Sequence, residues 1–146
     1  MLRNGPTRSR PTAIVDTSAI VAAADRDDRD HMRCLAVLQR SDLHLAFPTM
    51  VIAEASYLIN RILGPIQEAM FLRGLRNEDI QAPEPEDWPR IAELVEKFAD
   101  FPLGGTDASV IALAERLETD VVITLDRRHF VAVQPRHVTA LRVLPD

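Results

Sequence analysis

Short, continuously apolar segments alternate with longer helical ones along the chain, and that alternation limits the fold more than any other feature. Residues 12–15 form an apolar run that stops at Asp16 and reads as a buried strand. Further strands are expected over 43–47, stopped by Pro48, and over 79–82, 121–124 and 139–144. Helices are expected over 18–24, 31–40, 49–63, 66–75, 87–99 and 106–117, with Thr49 and Thr106 as N-caps and Gly64-Pro65 as a stop. In 87–99, Ile91, Leu94, Val95 and Phe98 share one stripe. Strands this short and apolar, joined by long crossovers, predict an α/β fold: a three-layer α/β/α sandwich around a central, mostly parallel sheet.

The chain has 146 residues, 47% of them hydrophobic and 27% charged, which suits one globular domain over 12–146 and excludes a disordered chain. Residues 1–11, with Arg3, Arg8 and Arg10 among Gly, Pro and Ser, read as a flexible basic extension without the apolar segment of a secretory signal. No apolar run reaches the roughly 20 residues that cross a bilayer, so no membrane partner is expected. A single cysteine, Cys34, excludes a disulfide framework and paired-cysteine zinc sites, and fits a cytoplasmic location. The net charge of −5 argues against a non-specific nucleic-acid binder. Of the 17 basic residues only Lys97 is lysine; arginine suits phosphate recognition, although codon bias explains the same skew.

The acids carry more information. In an open parallel sheet, ligands bind beyond the carboxyl ends of the strands, and Asp16 and Asp126 follow two such strands. Asp107 lies at a helix start, where a carboxylate complements the dipole, yet Val110, Ile111 and Ala114 put it on an apolar face. Glu54 sits in the nearly continuous apolar stretch Val51-Ile52-Ala53-Glu54-Ala55-Ser56-Tyr57-Leu58-Ile59, so it is expected to be partly buried, against Arg61 or another arginine or against a metal ion. Carboxylates gathered at one rim repel and raise one another's pKa, which a hard dication such as Mg2+ or Mn2+ relieves. No zinc-type spacing is present. An all-acid site of this kind serves metal-assisted phosphoryl transfer.

The segments Asp16-Thr17-Ser18, Glu54 within its apolar helix, Thr106-Asp107-Ala108-Ser109-Val110-Ile111-Ala112-Leu113-Ala114 and Thr124-Leu125-Asp126-Arg127-Arg128-His129-Phe130 together resemble the signature of PIN-domain nucleases, more narrowly VapC-type toxins of toxin–antitoxin pairs. The resemblance spans roughly residues 12–145 and rests on the ordered set rather than on any one motif; the extension 1–11 departs from it. It implies an acidic pocket for Mg2+ or Mn2+, with Asp16 and Asp107 as direct ligands and Glu54 and Asp126 completing the site. Ser18 and Thr124 would orient the pocket. It further implies endonucleolytic hydrolysis of RNA by a metal-activated water, leaving a 5′-phosphate and a 3′-hydroxyl. A VapB-like antitoxin would block the site with a basic side chain, and homodimers are usual.

Arg127, Arg128 and His129 follow the last acid and would contact phosphate, unless they form a solvated turn. His31, His44 and His137 read as surface or structural. Trp88 and Phe101 read as core or interface residues, and Cys34 as core. A receiver domain would need a late lysine, but Lys97 precedes Asp107. A haloacid-dehalogenase-like phosphatase would need aspartate where Ser18 stands. A non-catalytic binding module and a DNA-directed nuclease remain as competing readings.

Overall fold

A computed structural model of the chain describes residues 9–146. Most of the expected basic extension, residues 1–8, lies outside them. Its last residues join the fold: the Pro11 carbonyl accepts the His44 N–H at 2.9 Å.

Five strands form one fully parallel sheet: β1 (Thr12–Val15), β2 (His44–Pro48), β3 (Asp79–Gln81), β4 (Val121–Ile123) and β5 (Arg142–Leu144), in the order β3-β2-β1-β4-β5. The central strands are buried throughout, with Ala13, Ile14, Val15, Val121, Val122 and Ile123 all within the core, which is why they read as unbroken apolar runs. Helices α1 (Thr17–Ala24), α2 (His31–Leu38), α3 (Thr49–Leu63) and α4 (Pro65–Gly74) precede β3; α5 (Asp87–Lys97) and α6 (Gly105–Arg116) precede β4; α7 (Arg127–Ala132) precedes β5. Right-handed crossovers put α1–α4 on one face and α5–α7 on the other. Packing of α1 on α2 and α3, of α3 on α4, and of α5 on α6 agrees. The predicted three-layer α/β/α architecture is the one observed. No helix of the described residues is long and apolar enough to cross a membrane.

The chain leaves β1 for one half of the sheet and later returns to β1's other side as β4. The strand order therefore reverses between β1 and β4, the place where open parallel sheets bind ligands.

Several local expectations need correction. Pro48, not Thr49, occupies the capping position of α3, because β2 runs through Pro48 straight into the helix. Gly104 caps α6, and Thr106 lies inside it. The last strand starts at Arg142 rather than 139. Trp88 is exposed, so of its two readings, core or interface, the core one fails. Residues 127–132 are a helix, where a turn had seemed as good a reading. Phe130 anchors that helix, fully buried where α7 meets α6 and β5. Cys34 is in the core as expected.

Truncating the Phe130 anchor, Phe130→Ala, is expected to cost about 3–5 kcal/mol in a urea unfolding curve. Val131→Ala, next to it but exposed, should stay within about 0.5 kcal/mol.

Candidate active site

Asp16 is the first residue beyond β1 and is 3% exposed. Its N–H donates to Ile123 O at 2.9 Å, so its backbone still belongs to the sheet. Across the reversal point, Thr124 follows β4, and its hydroxyl donates to Asp16 Oδ2 at 2.6 Å. The Ser18 hydroxyl lies 3.3 Å from the same oxygen and 3.1 Å from Thr124 Oγ1. Each hydroxyl oxygen is itself fixed by a backbone donor: Leu125 N–H to Ser18 at 2.9 Å and Asp126 N–H to Thr124 at 3.0 Å. The two hydroxyl residues thus tie the carboxylate to the loop that carries Asp126.

This clasp uses only one oxygen of Asp16. The other, Oδ1, is buried and has no hydrogen-bond partner. Asp16 lines a pocket of about 370 Å³ together with Ser18, Asp28, Glu54, Asp107 and Asp126. The four sequence-predicted acids therefore converge on one cavity. Asp28, from the charged break after α1, joins them at the wall; nothing in its local sequence separates it from its acidic neighbours.

Glu54 reaches the pocket by a different route from the one expected. It is exposed, not partly buried, and it forms no ion pair with Arg61 or another arginine among the described residues. The core stripe of α3 is Val51, Ala55 and Ile59, one residue every four, and Glu54 lies beside it. Arg61 instead donates to the Tyr57 hydroxyl at 3.3 Å. The apolar residues around Glu54 are in part surface residues, Tyr57 being 61% exposed.

Asp107 is the third residue of α6, the helix whose residues 108–114 are all buried. Burial first, and then the charge of Asp16, push its carboxyl up to about 7, with His129 pulling the other way and Asp126 and Glu54 adding to the rise. Asp16 is raised as well, chiefly by burial, against the hydrogen bond from Thr124. Two carboxyls held above their ordinary range beside a buried, unpaired oxygen fit a cavity built for a divalent cation.

Sequence reasoning placed His129 beside phosphate; it lies within the acid cluster. Its Nδ1 is 3.3 Å from Asp107 Oδ2 and 2.5 Å from Asp126 Oδ2, without the alignment of a hydrogen bond to either. The available signal was the Asp126/His129 spacing of three, which shares a face once 127–132 is helical. Arg127 spends one nitrogen on the carbonyls of Val143 and Pro145, each at 3.3 Å. Arg128 lies over the Phe101 ring, 5.5 Å from its centroid. The remaining histidines are structural: His31 with Ala22 O, His44 with Asp79, and His137 with Thr119 O.

The chain has relatives in both sequence and fold. The PIN domain family model matches residues 13–134. Ribonuclease VapC26 of Mycobacterium tuberculosis is 34% identical, over 90% of this chain and 99% of its own length. Among solved structures, the sarcin-ricin loop cleaving toxin VapC20 of Mycobacterium tuberculosis has the same fold, with a TM-score of 0.74 at 17% identity over 87% of this chain and 98% of its own. VapBC2 of Rickettsia felis, bound to a promoter DNA fragment, reaches 0.68 at 14% identity over 92% and 99%. By the family match and by its sequence relative, the chain belongs to the PIN-domain family, among its VapC-type members.

Proposed function

We propose that this protein is a metal-dependent endoribonuclease, the toxin of a VapBC-type toxin–antitoxin pair. Asp16, Glu54, Asp107 and Asp126 would hold Mg2+ or Mn2+. The observation that carries the reading is that these acids line one pocket and that one of them, Asp16, has in Oδ1 a buried oxygen without a partner. The ribonuclease activity named for the VapC26 relative supports RNA as substrate. Bound there, divalent ions would supply an activated water and charge stabilisation at phosphorus.

The chain's own residues set the geometry. Ser18 and Thr124 fix the Asp16 carboxylate so that Oδ1 faces its task without reorganising. The carboxylates of Asp16, buried, and Asp107, partly buried, act where water is scarcer and their field is stronger than in solution. Exposed Arg128, and the nitrogens of Arg127 not spent on carbonyls, are the proposed phosphate contacts. They position the strand without reading its sequence.

A second feature bears on the partner. A groove of about 630 Å³ between α1, α2 and α4 is lined by Ile20, Leu35, Leu38, Phe47, Met70 and Phe71 among others. It would take the apolar face of an antitoxin helix, and a basic side chain of that partner would neutralise the acid pocket. The structural likeness to toxin–antitoxin complexes supports such a partner. Exposed Tyr57, Ile62 and Ile66 on α3 and α4 would suit a homodimer contact.

Asp16→Asn keeps the size and the hydroxyl clasp but removes the charge. RNA cleavage with Mg2+ or Mn2+ should fall by more than about 100-fold, with an unchanged far-ultraviolet dichroism spectrum. Cleavage at the parental rate would defeat the assignment. Met70→Glu, at an exposed groove position, should weaken co-purification with the antitoxin by at least about tenfold while free-toxin cleavage persists. The pH dependence follows from Asp107. Between about pH 4 and about 7 the folded, ion-free chain holds a proton there that the unfolded chain has released. In chelator, the calorimetric Tm should therefore fall as pH rises across that window, and Asp107→Asn should flatten the slope. Divalent-ion affinity should rise with pH through the same window, because the ion competes with that proton.

A further inference from the structure

We propose that His129 supplies an imidazole ligand to the divalent ion, making the centre a mixed oxygen–nitrogen site that favours Mn2+ over Mg2+. The inference rests on the metal-dependent reading above and adds a residue and an ion preference to it.

The geometry is that of a ligand set. His129, Asp107 and Asp126 each offer one donor atom, and the three lie within 4.8 Å of one another. Neighbouring ligands around a six-coordinate ion with bonds of about 2.1 Å stand about 3 Å apart. The nitrogen's distances of 2.5 and 3.3 Å to the two carboxylate oxygens fall on either side of that spacing. Nδ1 is buried, yet it has no aligned hydrogen bond. It is thus a polar atom withdrawn from water and directed at acceptors, without a bond that accounts for its burial.

A second observation points to a cation in the adjoining pocket, which Asp107 and Asp126 also line. Asp16, 3% exposed, lines the pocket with its Oδ1 unpartnered. The imidazole is also held in place. Phe101 meets its ring edge-on, with centroids 5.2 Å apart and planes at 89°. The buried Phe130 ring, next in sequence, pins the helix that carries it. A ring held by one aromatic neighbour on a pinned helix is suited to ligation, because little freedom is lost on binding.

The ion preference follows from the donor. Magnesium takes oxygen ligands and gains little from imidazole, whereas first-row transition ions gain affinity from a nitrogen. The carboxylates alone would serve either ion; His129 separates them.

The test uses the intact, chelator-stripped protein loaded with Mn2+. Electron spin-echo envelope modulation should show coupling to a directly bound 14N nucleus in the wild type, and the coupling should vanish in His129→Gln. By calorimetry, H129Q should lose about tenfold or more in Mn2+ affinity and change Mg2+ affinity by less than about twofold. Bound Mn2+ without nitrogen coupling in the wild type overturns this inference and leaves the metal-dependent reading standing. An equal loss for both ions in H129Q also overturns it, because that is the behaviour of a merely structural residue. Failure of the wild type to bind either ion overturns both.

Discussion

One carboxylate, held by one oxygen at the seam of the sheet, sets the terms for the rest of the molecule. Asp16 continues β1, Thr124 continues β4, and the bond between their side chains joins the two halves of the sheet where the strand order reverses. A buried carboxylate with a single satisfied oxygen is costly. The fold sustains it because the cost falls on a scaffold with a large apolar core, in which β4, β1 beyond Thr12 and most of α6 are buried. The same clasp orients Leu125 and Asp126, since the two hydroxyls accept their backbone N–H groups. Moving the Asp16 side chain would therefore also move the loop that carries the last acid.

The acids come from separate parts of the chain: the ends of two strands, the side of one helix and the first turn of another. Such an assembly works against stability. The helix start at Asp107 favours negative charge, yet burial and Asp16 outweigh that benefit, as its raised pKa records. A protein whose only requirement was to stay folded would gain by replacing Asp16 or Asp107 with a neutral residue. Their opposed electrostatics mark this end of the sheet as the functional one.

The fold could be read from the sequence where burial is complete. Residues 13–15 of β1 and all of β4 are buried and apolar, so the signal is unbroken there; α5 is half-exposed, and its stripe is equally plain. Reading failed where burial is partial. Around Glu54 the apolar run suggested a buried carboxylate, but α3 buries only one residue in four, and its other apolar side chains face outward. Helix α7 is six residues long, too short for periodicity to appear, so His129 could not be placed in the cluster beforehand. Capping preference also misled at Thr49 and Thr106, because a strand that runs directly into a helix and a pair of glycines left neither threonine in the capping position.

The corrected position of Glu54 changes how the pocket divides its work. Across it, the acids range from Asp16, almost wholly buried, through Asp107 and then Asp126, whose side chains are 20% and 39% exposed, to Glu54 in solvent. Charge interactions weaken as water gains access. Accordingly Glu54 is the smallest of the named contributions to the raised carboxyls of both Asp16 and Asp107. The inner acids therefore fix where positive charge is most stabilised. The outer ones remain hydrated and can exchange water for another ligand at small cost. A pocket graded in this way would hold a cation from one side and leave its other side open, which is the arrangement an ion needs if it is to meet a phosphate arriving from solution.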